Sequence, residues 1–237
     1  MATSVQASGR TAATRPPDES PALTWLIQWV KAHRQATVAI VVVVLGGAGL
    51  LWWNAISQQR TEAVAGEHLA QARLAFESAN YPLAASELSQ VVENYAGTSA
   101  AEEAQLVLGQ VRLYQGQPEQ AIEVLTRFAP KASAGYRAQA YGLLGAAYEN
   151  AGRWREAAQA YEAGVTNARY AFLKAQYLSD AARVSILAGD TAKALAAYRT
   201  ITSKYDSTPS IVEAKVRLGE LTRGVGGLSA DSGRVAK

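Results

Sequence analysis

The sequence contains no cysteine. That excludes disulfides, thiolate metal sites, cysteine nucleophiles and lipid attachment to an N-terminal cysteine, and it leaves the redox state of the compartment open. Histidine is almost as scarce. His33 and His68 are the only two, and they do not stand at the spacing a helical metal site needs. There is no excess of one charge either: the net charge is +3, with 19 Lys/Arg against 18 Asp/Glu in residues 54–237 and four against two in residues 1–35. The pI of about 9.1 therefore reflects no concentrated basic face of the kind nucleic acid requires. Phosphate-loop context is missing as well, since neither Gly46-Gly47-x-Gly49 nor Gly224-x-Gly226-Gly227 leads into a Lys-Ser/Thr helix. Glu102 and Glu103 stand at a helix start, where carboxylates complement the helix dipole, a simpler account than an acid–base pair. No enzyme, metal, cofactor, small-molecule substrate or nucleic-acid partner is expected.

What is present is alanine and one long apolar run. Hydrophobic residues make up 49% of the chain, with alanine far ahead of the β-branched types outside Val41–Val44, which predicts an all-α protein. Residues 1–21, rich in Ala, Ser, Thr, Arg and Pro, have little to bury and are expected to be a disordered tail. In the juxtamembrane segment 22–35, Trp25 and Trp29 fall at helical spacing beside Lys31 and Arg34, as in a helix lying at a membrane surface. Residues 36–53 carry no charge and would span roughly 27 Å as a helix, close to the hydrocarbon thickness. With Trp25 and Trp29 before it and Trp52 and Trp53 at its end, this is the candidate transmembrane helix, because indole rings favour the water–lipid boundary. A cleaved signal peptide is the first rival reading, since Ala55-Ile56-Ser57 would serve as a cleavage site; against it, the run is long and sits behind a long lead. A buried core helix is the second, although four valines and Gly46, Gly47 and Gly49 would make a poor one. Lys31 and Arg34 flank the N-terminal end and Arg60 alone the other. This predicts an N-terminus in the cytoplasm and a C-terminal domain beyond the bacterial inner membrane, in the periplasm.

Residues 54–223 repeat themselves. One copy reads Tyr141-x-x-Leu144-Gly145-x-x-Tyr148-x-x-x-Gly152-x-Trp154-x-x-Ala157-x-x-x-Tyr161-x-x-Gly164. A shift of 36 back finds Leu108-Gly109, Gly116, Pro118, Ala121, Leu125 and Phe128, and a further 37 finds Tyr81, Ala84, Leu88 and Val91. A shift of 37 forward finds Gly189, Ala194, Tyr198 and Ile201, and one more lands on Leu218-Gly219 with no second helix to follow. Small residues let paired helices approach, and each pair exposes an apolar face that only its neighbour can bury. Ser99 with Glu102 and Ser210 with Glu213 have the spacing of capping boxes, and Pro118 suits a first helical position. His68 is expected to pack in the leading helix of the first repeat. Residues 224–237, Gly, Ser and Ala with scattered charges, are expected to be a disordered tail.

This pattern resembles the tetratricopeptide repeat. It implies a right-handed superhelix of about four helix pairs plus a capping helix, preceded by the one transmembrane helix. Together with the N-terminal tail, the Trp-flanked run and the boundaries Asn94-Tyr95-Ala96-Gly97-Thr98-Ser99 and Lys204-Tyr205-Asp206-Ser207-Thr208-Pro209, the order over residues 22–222 is similar to the membrane-anchored bacterial branch, which includes the ancillary subunit of the protein-export translocon. The resemblance implies a membrane-anchored scaffold for proteins, an accessory subunit of a membrane complex in export or envelope assembly. The alternative is a structural subunit docked through its transmembrane helix, with the repeats stabilising it. Leading helices line the concave face of such arrays, which places Arg73, Phe76, Gln110, Tyr114, Glu149, Asn150 and Arg183 in the candidate partner groove. The Lys/Asn pairs with which some members clamp a chaperone's C-terminal carboxylates are missing. Their places hold Leu69, Leu106, Gly142 and Ser179, then Arg73, Gln110, Ala146 and Arg183.

Overall fold

The computed structural model describes Trp25, residues 29–32 and residues 34–229. The expected tail over 1–21, His33 and residues 230–237 lie outside this set. All secondary structure among the described residues is helical, and the chain divides into two compact units, up to Ile56 and from Ser57 onward, which are taken separately.

In the first unit, Trp25 and residues 29–32 are helical and α1 (Arg34–Glu77) begins. Val42 to Leu45 and Leu50 to Trp53 expose 60–75% of their surface. The expected membrane-spanning helix is not recovered: among the described residues no helix is long and apolar enough to cross a membrane. The candidate span over 36–53 is described only in part, since the side chains of Ala36, Thr37, Ile40 and Val41 lie outside the described set.

The second unit is an array of helix pairs, as the repeat predicts. The C-terminal part of α1 packs with α2 (Tyr81–Asn94), α3 (Ser99–Tyr114) pairs with α4 (Pro118–Phe128), α5 (Arg137–Asn150) with α6 (Trp154–Asn167), and α7 (Ala171–Leu187) with α8 (Thr191–Lys204). A last helix, α9 (Ile211–Ser229), covers α8 and touches α7. The second helices begin at Tyr81, Pro118, Trp154 and Thr191, in the 37, 36, 37 rhythm of the sequence. Asn80, Thr98 and Asp190 cap α2, α3 and α8 by accepting from the backbone N–H three residues on, and Pro118 opens α4 as expected.

Each pair turns in the same way. Ala79, Gly116, Gly152 and Gly189 are left-handed, with φ of 59 to 82°. Each donates its N–H to the carbonyl three residues back, and the next residue donates to the carbonyl five back. This closure returns the chain antiparallel and satisfies carbonyls the helix end leaves open. The first repeat pays for an alanine in this place.

Behind the turns, the second helices present Ala84, Ala121, Ala157 and Ala194, all fully buried, followed one turn on by Leu88, Leu125, Tyr161 and Tyr198. The first helices meet these bulky side chains with small residues. A Cβ on Gly109 would stand 2.9 Å from the Leu125 side chain, and one on Gly145 would stand 2.7 Å from the Tyr161 ring. Tyr177 of α7 joins one pair to the next: a Cβ on Gly142 of α5 would lie 2.5 Å from its ring and one on Gly164 of α6 would lie 2.9 Å from it.

Several expectations are corrected. Neither capping box closes. Glu102 reaches past Ser99 to accept from Ser133 N at 2.9 Å, and Glu62, from the previous repeat, accepts from Ser99 N and Ala100 N at 2.8 and 2.9 Å. Glu213 likewise accepts from Ser179 Oγ at 2.9 Å. The carboxylates thus tie repeat to repeat: Glu62 meets free N–H groups at the start of α3, Glu102 the backbone ahead of α5, and Glu213 a side-chain hydroxyl within α7. His68 is exposed and stacks on Tyr95 with centroids 5.5 Å apart, while Leu69 beside it is buried. Helix α9 continues through Ser229, beyond the expected domain end at 223, since extending a formed helix costs far less than starting one.

Two substitutions test the close approaches. Gly142→Ala, whose methyl meets a ring held on both sides, should destabilise by about 1–3 kcal/mol. Gly219→Ala in α9, where a Cβ meets nothing within 4 Å, should be neutral or stabilise by up to about 1 kcal/mol. Circular-dichroism melting of the full-length protein in detergent should show a lower Tm for the first and no loss for the second. Ala79→Gly should raise Tm in the same assay, by the equivalent of about 0.5–1 kcal/mol, because it removes the methyl from a left-handed turn.

Candidate functional site

The leading helices α3, α5 and α7 border an open cleft of about 460 Å³. Its floor is half-buried aliphatic surface from Leu106, Val107, Leu143 and Ala146. Tyr136, Tyr161 and Tyr177 add ring surface, and three amides reach into it, Gln110, Gln139 and Gln176. The amides follow from repeat register: Gln139 and Gln176 stand 36 and 73 residues after Glu103 on the same face of successive leading helices.

The seven residues expected in the groove do not form one set. Gln110 lines the cleft. Arg73 pairs with Glu103 at its edge. Glu149 and Arg183, 34 residues apart, form a two-point ion pair, one arm of which runs from Arg183 Nη2 to Glu149 Oε2 at 3.0 Å. Phe76 and Tyr114 leave the cleft and build an aromatic group with Tyr81: Phe76 meets Tyr114 edge-on at 5.4 Å, and Tyr81 stacks on Tyr114 at 5.6 Å. Asn150 turns back to donate to Ala146 O at 2.8 Å. Among the expected interface tryptophans, Trp25, Trp52 and Trp53 are well exposed and Trp29 less so.

Sequence reasoning missed Asp180. It lines the cleft and accepts from Arg183 Nη2 at 3.3 Å, so one guanidinium serves two carboxylates. Burial raises the Glu149 carboxyl, but the hydrogen bond and charge of Arg183, with the Tyr161 hydroxyl donating at 3.0 Å, outweigh it and hold the group below its usual range. Asp180 goes the other way. Its burial, reinforced by the charges of Glu149 and Glu213, exceeds what Arg183 returns, and its carboxyl is raised. Burial, then Asp180, pushes the Tyr177 phenol up to about 12. Arg183 is itself raised, first by its hydrogen bond to Glu149. The only signal for Asp180 was its place 37 residues after Leu143 and Val107's column, where an aliphatic residue is expected.

Among the described residues no group of His, Asp and Glu stands close enough to hold a metal ion, and nothing in the cleft pairs a nucleophile with a base.

Comparison with known proteins agrees on the fold. Residues 64–179 match the Tetratricopeptide repeat-like domain family. No curated protein matches the chain. Among solved structures, one of MamA is similar at 23% identity with a TM-score of 0.53, covering 65% of this chain and 84% of that one; a second MamA structure gives 23%, 0.54, 71% and 84%. A putative kinesin light chain from Podosopora anserina with nearly identical TPR-like repeats gives 18%, 0.55, 70% and 88%. The array thus has the fold of a tetratricopeptide-type helical repeat.

The direction of the Asp180 shift has a consequence for stability. A carboxyl raised by folding contributes stability below its unfolded value of about 3.9 and loses it as pH rises through the folded one. Asp180→Asn should therefore raise Tm at pH 7. Melting curves should show the gap closing as the pH falls below about 4, where the wild-type carboxyl is protonated in both states.

Proposed function

We propose that the chain is a membrane-anchored protein-interaction scaffold, an accessory subunit of a complex in the bacterial inner membrane that handles exported or envelope proteins. The observation that carries the scaffold reading is the cleft across α3, α5 and α7, with its aliphatic floor and unpaired amides. The anchor reading is supported by the uncharged run over 36–53, whose described side chains between Val42 and Trp53 stand exposed in the free chain, an arrangement that costs free energy in water and none in lipid. Anchoring would raise the local concentration of the cleft at the bilayer, so that weak contacts suffice. The N-terminus lies in the cytoplasm and the repeats in the periplasm, following Lys31 and Arg34. A structural subunit docked through the apolar run is the second reading, favoured by Gly46, Gly47 and Gly49, where an added Cβ would meet nothing within 4 Å.

The lack of cysteine makes topology directly measurable. With Ser4→Cys and Ser203→Cys introduced singly, a membrane-impermeant maleimide applied outside the inner membrane should label position 203 in intact spheroplasts and position 4 only after lysis. The reverse pattern inverts the orientation, and recovery of the full chain in the soluble fraction removes the anchor.

A further inference from the structure

The charges around the cleft are unequal to its cations. Its lining holds two carboxylates, Glu103 and Asp180, and no lysine, arginine or histidine. Arg73 neutralises Glu103 at one edge. At the other, Arg183 is divided between Glu149 and Asp180, Glu213 lies close enough to act on Asp180 as well, and Arg217, one turn after Glu213 on α9, is engaged by Glu220 at 3.1 Å. Two carboxylates thus share one guanidinium, and a third, Glu213, adds its negative charge beside Asp180. The groups facing Asp180 from α6 and α8 are the phenols of Tyr161 and Tyr198, which stay neutral because burial raises both.

The amides add a second, independent constraint. Among the described residues Gln110, Gln139 and Gln176 find no side-chain hydrogen-bond partner, and the last two are exposed. A helical ligand satisfies its own backbone and would leave them idle; an extended one presents unpaired N–H and C=O groups that primary amides match in both senses.

Resting on the scaffold reading above, we propose that the cleft takes an extended segment of a partner protein carrying a lysine or arginine, with the basic side chain seated beside Asp180 and the segment's backbone bonded by Gln110, Gln139 and Gln176. An acidic C-terminal tail or a phosphate backbone would face the same carboxylates unfavourably. The raised Asp180 carboxyl fits this, since the missing cation would arrive with the ligand.

The test is selection of a random heptapeptide display library on the full-length protein in detergent, followed by titration of the enriched peptides. Enrichment should fix lysine or arginine at one position. Asp180→Asn, which keeps the shape of the side chain, should weaken these peptides at least tenfold while binding of their lysine-to-alanine versions changes less than twofold. Gln139→Ala with Gln176→Ala should weaken both versions alike. Enrichment of acidic or purely apolar peptides, or indifference to Asp180→Asn, overturns this inference and leaves the scaffold intact. Failure to enrich any peptide, with melting curves showing a folded protein, overturns the cleft as a binding site altogether.

Discussion

The close approach of paired helices is the constraint on which the array depends. Where Gly109 and Gly145 lack a Cβ, Leu125 and Tyr161 occupy the space, so each helix pair locks at one separation. Tyr177 extends the same device between pairs, its ring lying against both Gly142 and Gly164. Because interiors are close-packed, a single methyl at such a contact must displace a ring or a helix. The contact that holds α5, α6 and α7 together also sets the width of the cleft between α5 and α7.

Electrostatics is then laid over that frame in steps of one repeat. Glu62 bonds the start of α3, Glu102 bonds Ser133 before α5, Arg183 reaches back to Glu149, and Glu213 accepts from Ser179. Each link joins residues 31 to 38 positions apart. Such bonds are individually modest when partly exposed, but they favour one rotation of each pair on the next. They also leave the cleft side of α7 short of positive charge.

The repeat was legible because its physics is periodic. Ala84, Ala121, Ala157 and Ala194 recur at one rhythm and are all fully buried, and the turn glycines recur with them. The cleft was legible only in part. Of the residues placed there by repeat register, Gln110 lines the cleft, whereas Arg73 and Arg183 are engaged in ion pairs with Glu103 and Glu149 and Tyr114 belongs to an aromatic group with Phe76 and Tyr81. Capping was misread for a related reason: Ser99 and Glu102 have the local spacing of a box, yet the carboxylate finds a better donor one repeat away.

Local and periodic properties of this protein were therefore determined by sequence alone: helical class, the number and length of repeats, the recurring glycines at Gly116, Gly152 and Gly189, and the apolar run that ends at Trp52 and Trp53. These depend on backbone preference and on which residues share a helix face. Only the tertiary structure decided which carboxylate meets which partner, that Asp180 stands half-buried beside an already engaged Arg183, and that Gln139 and Gln176 border one cleft with Gln110. Those facts depend on distances between residues far apart in the chain, which a repeat pattern leaves open until the helices are packed.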